Sequence, residues 1–149
     1  MIAEITITGK NAIVESRRGF MFNLAGKTIL VADDSAVMRM FLIMNLKRLL
    51  TVDIIEAVNG RDALNKLENG KVDLVLTDMN MPEMGGAELI REVRTRLKSD
   101  VPIVIITTKG EVADRDCGMS LGANGYLTKP VGLKELITAV LKFAGGYTL

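Results

Sequence analysis

The sequence predicts an α/β domain: a five-stranded parallel sheet, doubly wound by five helices in a (βα)5 order, with an N-terminal extension. Three observations predict it. From Thr28 onward, short β-branched runs alternate with longer amphipathic runs. Two of the short runs are apolar almost without interruption, as expected of strands covered on both faces. Polar residues stand directly after the strands, at the edge where open parallel sheets bind ligands.

The predicted strands are Ile29–Ala32, Val52–Val58, Val72–Thr77, Ile103–Ile106 and Tyr126–Leu127. Val and Ile dominate them, and each is too short for a helix. Between them lie helices with readable ends. Ser35 is the expected N-cap of the first, which runs to about Leu50. Asn59 caps the second, with Ala63, Leu64 and Leu67 inward and Gly70 past its end. The third spans about Gly86 to Leu97, and the fourth about Glu111 to Leu121. The fourth is the weakest, because it holds Asp114, Arg115 and Asp116 and an internal glycine, Gly118. The fifth, Leu133 to Phe143, has a clear stripe of Leu133, Leu136, Ile137, Val140 and Leu141.

Composition narrows the function. The chain has 149 residues, enough for one domain with a sizeable core. Nineteen Lys and Arg against eighteen Asp and Glu leave a net charge of +1, which argues against nucleic-acid binding. Histidine is absent, which excludes Ser-His-Asp and Cys-His chemistry and His-ligated zinc. One cysteine, Cys117, excludes an internal disulfide framework and fits a cytoplasmic location. No apolar run reaches the roughly 18 residues of a membrane span, so stable membrane insertion is not expected.

The chemistry lies at the strand ends. Asp33 and Asp34 follow the first strand, Asp78 the third, Thr107 and Thr108 the fourth, and Lys129 and Pro130 the fifth. Two like charges about 4 Å apart repel by about 4 kcal/mol at an effective dielectric of 20. Three carboxylates and one ammonium therefore call for a divalent counter-ion or a proton. All-oxygen ligands with few protein contacts favour magnesium. Such a site, with a lysine and a threonine hydroxyl, suits a phosphoryl group, and one carboxylate can act as nucleophile.

Four stretches carry a family resemblance: Ile-Leu-Val-Ala-Asp-Asp-Ser (29–35), Leu-Thr-Asp-Met-Asn-Met-Pro-Glu-Met-Gly-Gly (76–86), Pro-Ile-Val-Ile-Ile-Thr-Thr (102–108) and Gly-Tyr-Leu-Thr-Lys-Pro (125–130). In order, spacing and strand context they resemble the receiver domain of two-component response regulators, and most of all CheY-like stand-alone receivers. The resemblance implies the flavodoxin/CheY-like fold, with the receiver over residues 27–146 and an extension over 1–26. It implies a single-domain regulator, not a turnover enzyme, with chemotaxis the first candidate pathway. Asp78 resembles the phosphoacceptor, charged by a sensor histidine kinase or a histidine phosphotransfer protein. Asp33, Asp34, Asp78 and the backbone carbonyl of Asn80 resemble the Mg2+ ligands. Lys129 resembles the lysine that pairs with the phosphoryl oxygens, across a Lys129–Pro130 bond expected to be cis. Thr107 and Tyr126 resemble the switch pair. Asn80 and Lys109 stand where the lifetime of the phosphoryl group is tuned. A downstream protein target is expected on the face of the fourth helix, fifth strand and fifth helix.

Two features fall outside the family pattern. In residues 1–26, Ile5 and Ile7 alternate with Thr6 and Thr8 before a Gly9-Lys10-Asn11 turn signal, which reads either as a hairpin or as a leader. The first helix is apolar on more than one face, through Met38, Met40, Phe41, Leu42, Ile43, Met44 and Leu46. Cover by the extension, or a homodimer through the extension or this helix, would account for that excess. Two other classes compete. An aspartyl phosphatase of the haloacid dehalogenase type would need Asp-x-Asp after the first strand, where Asp33-Asp34-Ser35 stands. A flavin or nucleotide module would need a glycine-rich phosphate loop, and no G-x-G-x-x-G or P-loop sequence follows any strand.

Overall fold

The computed structural model describes residues 13–16, 19–108 and 110–147. Its elements are β1 (Ile13–Ser16), β2 (Gly19–Ala32), α1 (Ala36–Leu49), β3 (Leu50–Ala57), α2 (Gly60–Asn69), β4 (Leu74–Asp78), α3 (Gly86–Thr95), β5 (Ile103–Thr108), α4 (Val112–Leu121), β6 (Gly125–Lys129) and α5 (Leu133–Phe143). Strands β3, β2, β4, β5 and β6 lie side by side, all parallel. This is the flavodoxin/CheY-like order, in which the chain changes direction across the sheet at β2.

The alternation along each strand splits the core into two layers. Ile29 and Val31 of β2, Leu74 and Leu76 of β4, and Val104 and Ile106 of β5 face Leu42 and Leu46 of α1 and Ile137 and Val140 of α5. Leu30, Val75, Ile103 and Ile105 face the other way, against Leu64 of α2 and Leu89, Ile90 and Val93 of α3. Both faces being covered explains why Leu74 to Thr77 are buried without a break. The predicted caps are present: Ser35 Oγ accepts from the Met38 amide at 3.2 Å, and Asn59 Oδ1 accepts from the Asp62 amide at 2.8 Å.

Three details differ from the sequence expectation. The first parallel strand begins ten residues before Ile29, at Gly19, and Leu24 is buried in the core. The line drawn between residues 26 and 27 thus falls inside β2. There the strand bulges: Asn23 pairs with Thr51 and Thr28 with Asp53, and Gly26 takes a positive φ of 83°. Second, a hairpin is present, but it pairs Ile13–Ser16 with Gly19–Phe22. The turn expected at Gly9-Lys10-Asn11 lies outside the described residues, as does Lys109. Third, Leu50 opens β3 instead of ending α1, because it pairs with Phe22.

Gly118 has a structural reason. A Cβ there would come 2.7 Å from Ile105 Cδ1, so the missing side chain lets α4 lie close on β5. Just past the C-terminal end of α4, the Arg94 guanidinium donates to the carbonyl of Gly122, to those of Ser99 and Val101 and to Asn124 Oδ1 at 2.7–3.1 Å. This ties α3 to the turns before β5 and β6. Arg94 carried no sequence signal, since most of its partners are backbone oxygens.

Candidate functional site

Strand order assembles the site. β2 and β4 are neighbours, so the residues after their last core positions meet at one edge. Carboxylate oxygens of Asp33, Asp34 and Asp78 all lie within 4.8 Å of one another. Lys129 ends β6, two strands away from β4, or about 10 Å at ordinary strand spacing. Only a long side chain spans that distance. Its Nζ reaches Asp78 Oδ2 at 3.3 Å and Asp33 Oδ2 at 3.6 Å. The Lys129–Pro130 bond is cis.

The electrostatics are unbalanced. Asp33 is 1% exposed, and its Oδ1 accepts from the Ser35 amide at 2.8 Å. Its Oδ2 is the one buried side-chain oxygen or nitrogen among the described residues without a hydrogen-bond partner. Burial pushes the Asp33 carboxyl above its ordinary pKa, and the charges of Asp78 and Asp34 add to the rise. The Ser35 amide and Lys129 oppose it without cancelling it. An orphaned buried carboxylate oxygen, facing two more carboxylates with one ammonium between them, is what a hard divalent cation would satisfy. The donor set fits magnesium.

The other expected residues fall around this centre. Thr107 is buried at the end of β5, paired in register with Thr128. Tyr126 on β6 is 46% exposed, with the Arg115 guanidinium 5.1 Å from its ring centroid. Thr107 and Tyr126 line one small cavity of about 40 Å³, together with Glu111, Arg115 and Thr128. The Asn80 amide donates to Asp78 Oδ1 at 3.3 Å. Its side-chain Nδ2 donates to Asp114 Oδ2 at 3.0 Å and Glu111 Oε2 at 3.4 Å, joining the loop after β4 to the first turn of α4. A hydrogen bond shared with Asp114 is the main reason the Glu111 carboxyl is held above its ordinary pKa.

The sequence reading missed two contacts. Arg39 donates from Nη1 to the Asp33 carbonyl at 2.7 Å and pairs through Nε with Glu56 at 3.1 Å, fixing the end of β2. Its partner at the site is a main-chain oxygen, which no residue pattern betrays. The Asn80 contact with Asp114 did have a faint signal: Glu111 and Asp114, three apart, share one helix face.

Gly86 sets how closely α3 approaches. A Cβ on it would stand 2.5 Å from the Asp78 carbonyl oxygen and 2.9 Å from Met79 Cα. Both are backbone atoms and cannot swing aside. Gly86→Ala is expected to cost about 1–3 kcal/mol in urea denaturation and to slow any reaction that depends on the position of Asp78. Wild-type stability in that variant would show that the loop yields freely.

Beside the site, α1 exposes a broad apolar surface, with Val37 77% and Met44 61% exposed. Val37, Met38 and Phe41 line a cavity of about 380 Å³ with Ser35, Lys129, Pro130 and Val131. Among the described residues, no helix is long and apolar enough to cross a membrane.

Residues 29–141 match the family model of the response regulator receiver domain. The chain is 40% identical over 123 residues to the chemotaxis protein CheY homolog of Campylobacter jejuni, across 79% of this chain and 95% of that one. Its fold is similar to the solved chemotaxis response regulator CheY4 of Vibrio cholerae, at a TM-score of 0.71 and 29% identity, covering 78% of this chain and 98% of that one. It is also similar, at a TM-score of 0.73 and 25% identity over 80% and 89% of the two chains, to a structure of the Saccharomyces cerevisiae response regulator Ssk1. There the receiver domain is bound to the histidine phosphotransfer protein Ypd1.

Proposed function

The chain belongs to the response regulator receiver family of two-component signalling, and from that premise we propose that it accepts a phosphoryl group on Asp78 and passes the signal on by protein contacts, as a chemotaxis regulator would. The observation that carries this reading is the pairing of Lys129 with Asp78, at 3.3 Å, within a cluster of three carboxylates.

In the proposed step, a carboxylate oxygen of Asp78 attacks phosphorus in line with the donor. An O–P bond forms, and the P–N bond to the imidazole of a partner kinase or phosphotransfer protein breaks. The imidazole nitrogen leaves with the bonding pair and takes up a proton. Lys129 neutralises oxygens of the transferred group, so the work of the site is positioning and charge stabilisation. Asp33, Asp34, Asp78 and the Asn80 carbonyl would hold Mg2+, which supplies counter-charge to the carboxylates and to the phosphoryl oxygens. The apolar face of α1, continuous with the site through Lys129 and Pro130, would seat the donor. Incubation with a small phosphodonor, followed by peptide mass spectrometry, tests the reading. One hydroxylamine-sensitive phosphoryl group on the peptide holding Asp78 is the expected result, and modification elsewhere alone would overturn it.

A dianionic group on Asp78 would draw the Thr107 hydroxyl toward it, and Tyr126 would turn into the space that Thr107 leaves. That is a shift between two packings, biased by one local charge change. The readout would be the face of α4, β6 and α5, where Met119, Tyr126, Lys134 and Phe143 line a groove of about 520 Å³. Thr107→Ala is expected to keep labelling within about tenfold of wild type while losing the Tyr126 response. Ring NMR signals with and without phosphodonor check this. A full Tyr126 shift in the variant would break the proposed coupling.

A further inference from the structure

The apolar face of α1 is complementary to itself. Val37, Met40, Phe41 and Met44 stand at i, i+3, i+4 and i+7 on one side of the helix, and are 77%, 60%, 44% and 61% exposed. The polar side chains among them are engaged locally. Arg39 is held by the Asp33 carbonyl and by Glu56, and the Asn45 amide donates to the Phe41 carbonyl at 2.8 Å. Four adjoining apolar side chains in water mark a surface for association. The two ends of the face carry opposite charge: exposed Asp34 precedes the cap, and exposed Lys47 and Arg48 lie in the last turn.

The pattern is symmetric about the midpoint between Met40 and Phe41. Where a second α1 runs antiparallel across a two-fold axis at that point, Val37 meets Met44 of the other copy, Met40 meets Phe41, and Asp34 comes beside Lys47. Apolar groups face apolar groups, charges face their opposites, and the two helix dipoles oppose each other. The same face holds the cavity of about 380 Å³ that Val37 and Phe41 line together with Lys129 and Pro130. Across the axis from Val37 and Phe41 stand Met44 and Met40 of the other copy, unbranched side chains that adapt to such a space.

We infer that α1 is a self-association face, pairing two copies of this chain antiparallel about that axis. The face is one helix wide, which puts the pair among small, transient interfaces and not among permanent dimers. The pairing stands independently of the Asp78 reading. Its consequence rests on that reading: the paired helices cover the surface that would seat the phosphodonor protein, so pairing and docking exclude each other.

Sedimentation velocity of the full chain over a concentration series tests the pairing. The wild type is expected to dimerise with a dissociation constant of about 10–100 µM. Val37→Glu and Met44→Lys change exposed positions, so each variant should fold as the wild type does. Each alone is expected to weaken self-association by about tenfold or more, since it sets a charge against an apolar group twice in the symmetric pair. An equimolar mixture of the two variants should dimerise again, because the new charges then face each other across the axis. A wild type that stays monomeric to about 1 mM would overturn the inference, as if residues 1–12 or an unrelated protein took the face. Dimers that persist in both variants would place the interface elsewhere and overturn it too. Failure of the mixture to recover would overturn the antiparallel register. None of these outcomes bears on phosphoryl transfer to Asp78, which the labelling experiment decides separately.

Discussion

Asp78→Asn is expected to bring phosphodonor labelling down to background while the fold survives. The substitution keeps the size of the side chain and its oxygen, so the Asn80 amide retains an acceptor. It removes the nucleophilic carboxylate, and no neighbour can replace it. Asp33 is buried with one oxygen held by the Ser35 amide. Asp34 is exposed beyond the end of β2. Stability is expected to stay within about 1 kcal/mol, because the loss of the 3.3 Å pair with Lys129 is offset by relief of repulsion among the three acids. Labelling at normal stoichiometry in the variant would remove the central assignment. Absent labelling with a cooperative unfolding transition would support it.

Asp33→Asn should have two opposite effects, depending on the metal. In metal-free buffer near neutral pH the variant is expected to be more stable than wild type, by about 1–3 kcal/mol. The reason is the buried carboxylate whose Oδ2 has no hydrogen bond and only the Lys129 ammonium, 3.6 Å away, to offset its burial. Because burial raises its pKa above the ordinary 3.8, the folded chain binds that proton more tightly than the unfolded chain does. The associated stability is therefore present below about 3.8 and is lost as pH rises through the raised value. Metal-free stability curves of wild type and variant should converge in acid and separate toward neutrality. Saturating Mg2+ should reverse the order: at a hundred times its dissociation constant it adds about 2.7 kcal/mol to a protein that binds it only when folded. The variant, lacking one ligand, should gain much less. Equal response to Mg2+ in both proteins, followed by urea denaturation, would exclude Asp33 from the metal site.

Local signals made much of this molecule legible. The capping side chains of Ser35 and Asn59, the apolar stripe of α5 and the unbroken run of β5 each depend on neighbours within a few residues. The acids at 33, 34 and 78 were legible for a related reason: a polar residue after a buried strand must lie at the sheet edge. The start of β2 was not legible. Gly19 to Leu24 become strand by pairing with β1 and with Leu50 and Thr51 of β3, and that pairing is a matter of backbone register that no side-chain pattern in the segment encodes. The same pairing ends α1 at Leu49, though Leu50 would continue its apolar pattern.

The sequence by itself determined the alternation of strands and helices, the two covered faces of the sheet and the set of charged residues available at its edge. Those follow from side-chain chemistry repeated at periods of two and 3.6 residues. Only the tertiary structure decided which charges touch. Strand order sets Asp33 beside Asp78, and the reach across β5 brings Lys129 to both. The fit of α4 through Gly118 packs the helix closely on β5, and Asn80 reaches its acidic first turn. Contacts between residues dozens apart depend on where backbones lie in space, and no local pattern encodes that distance.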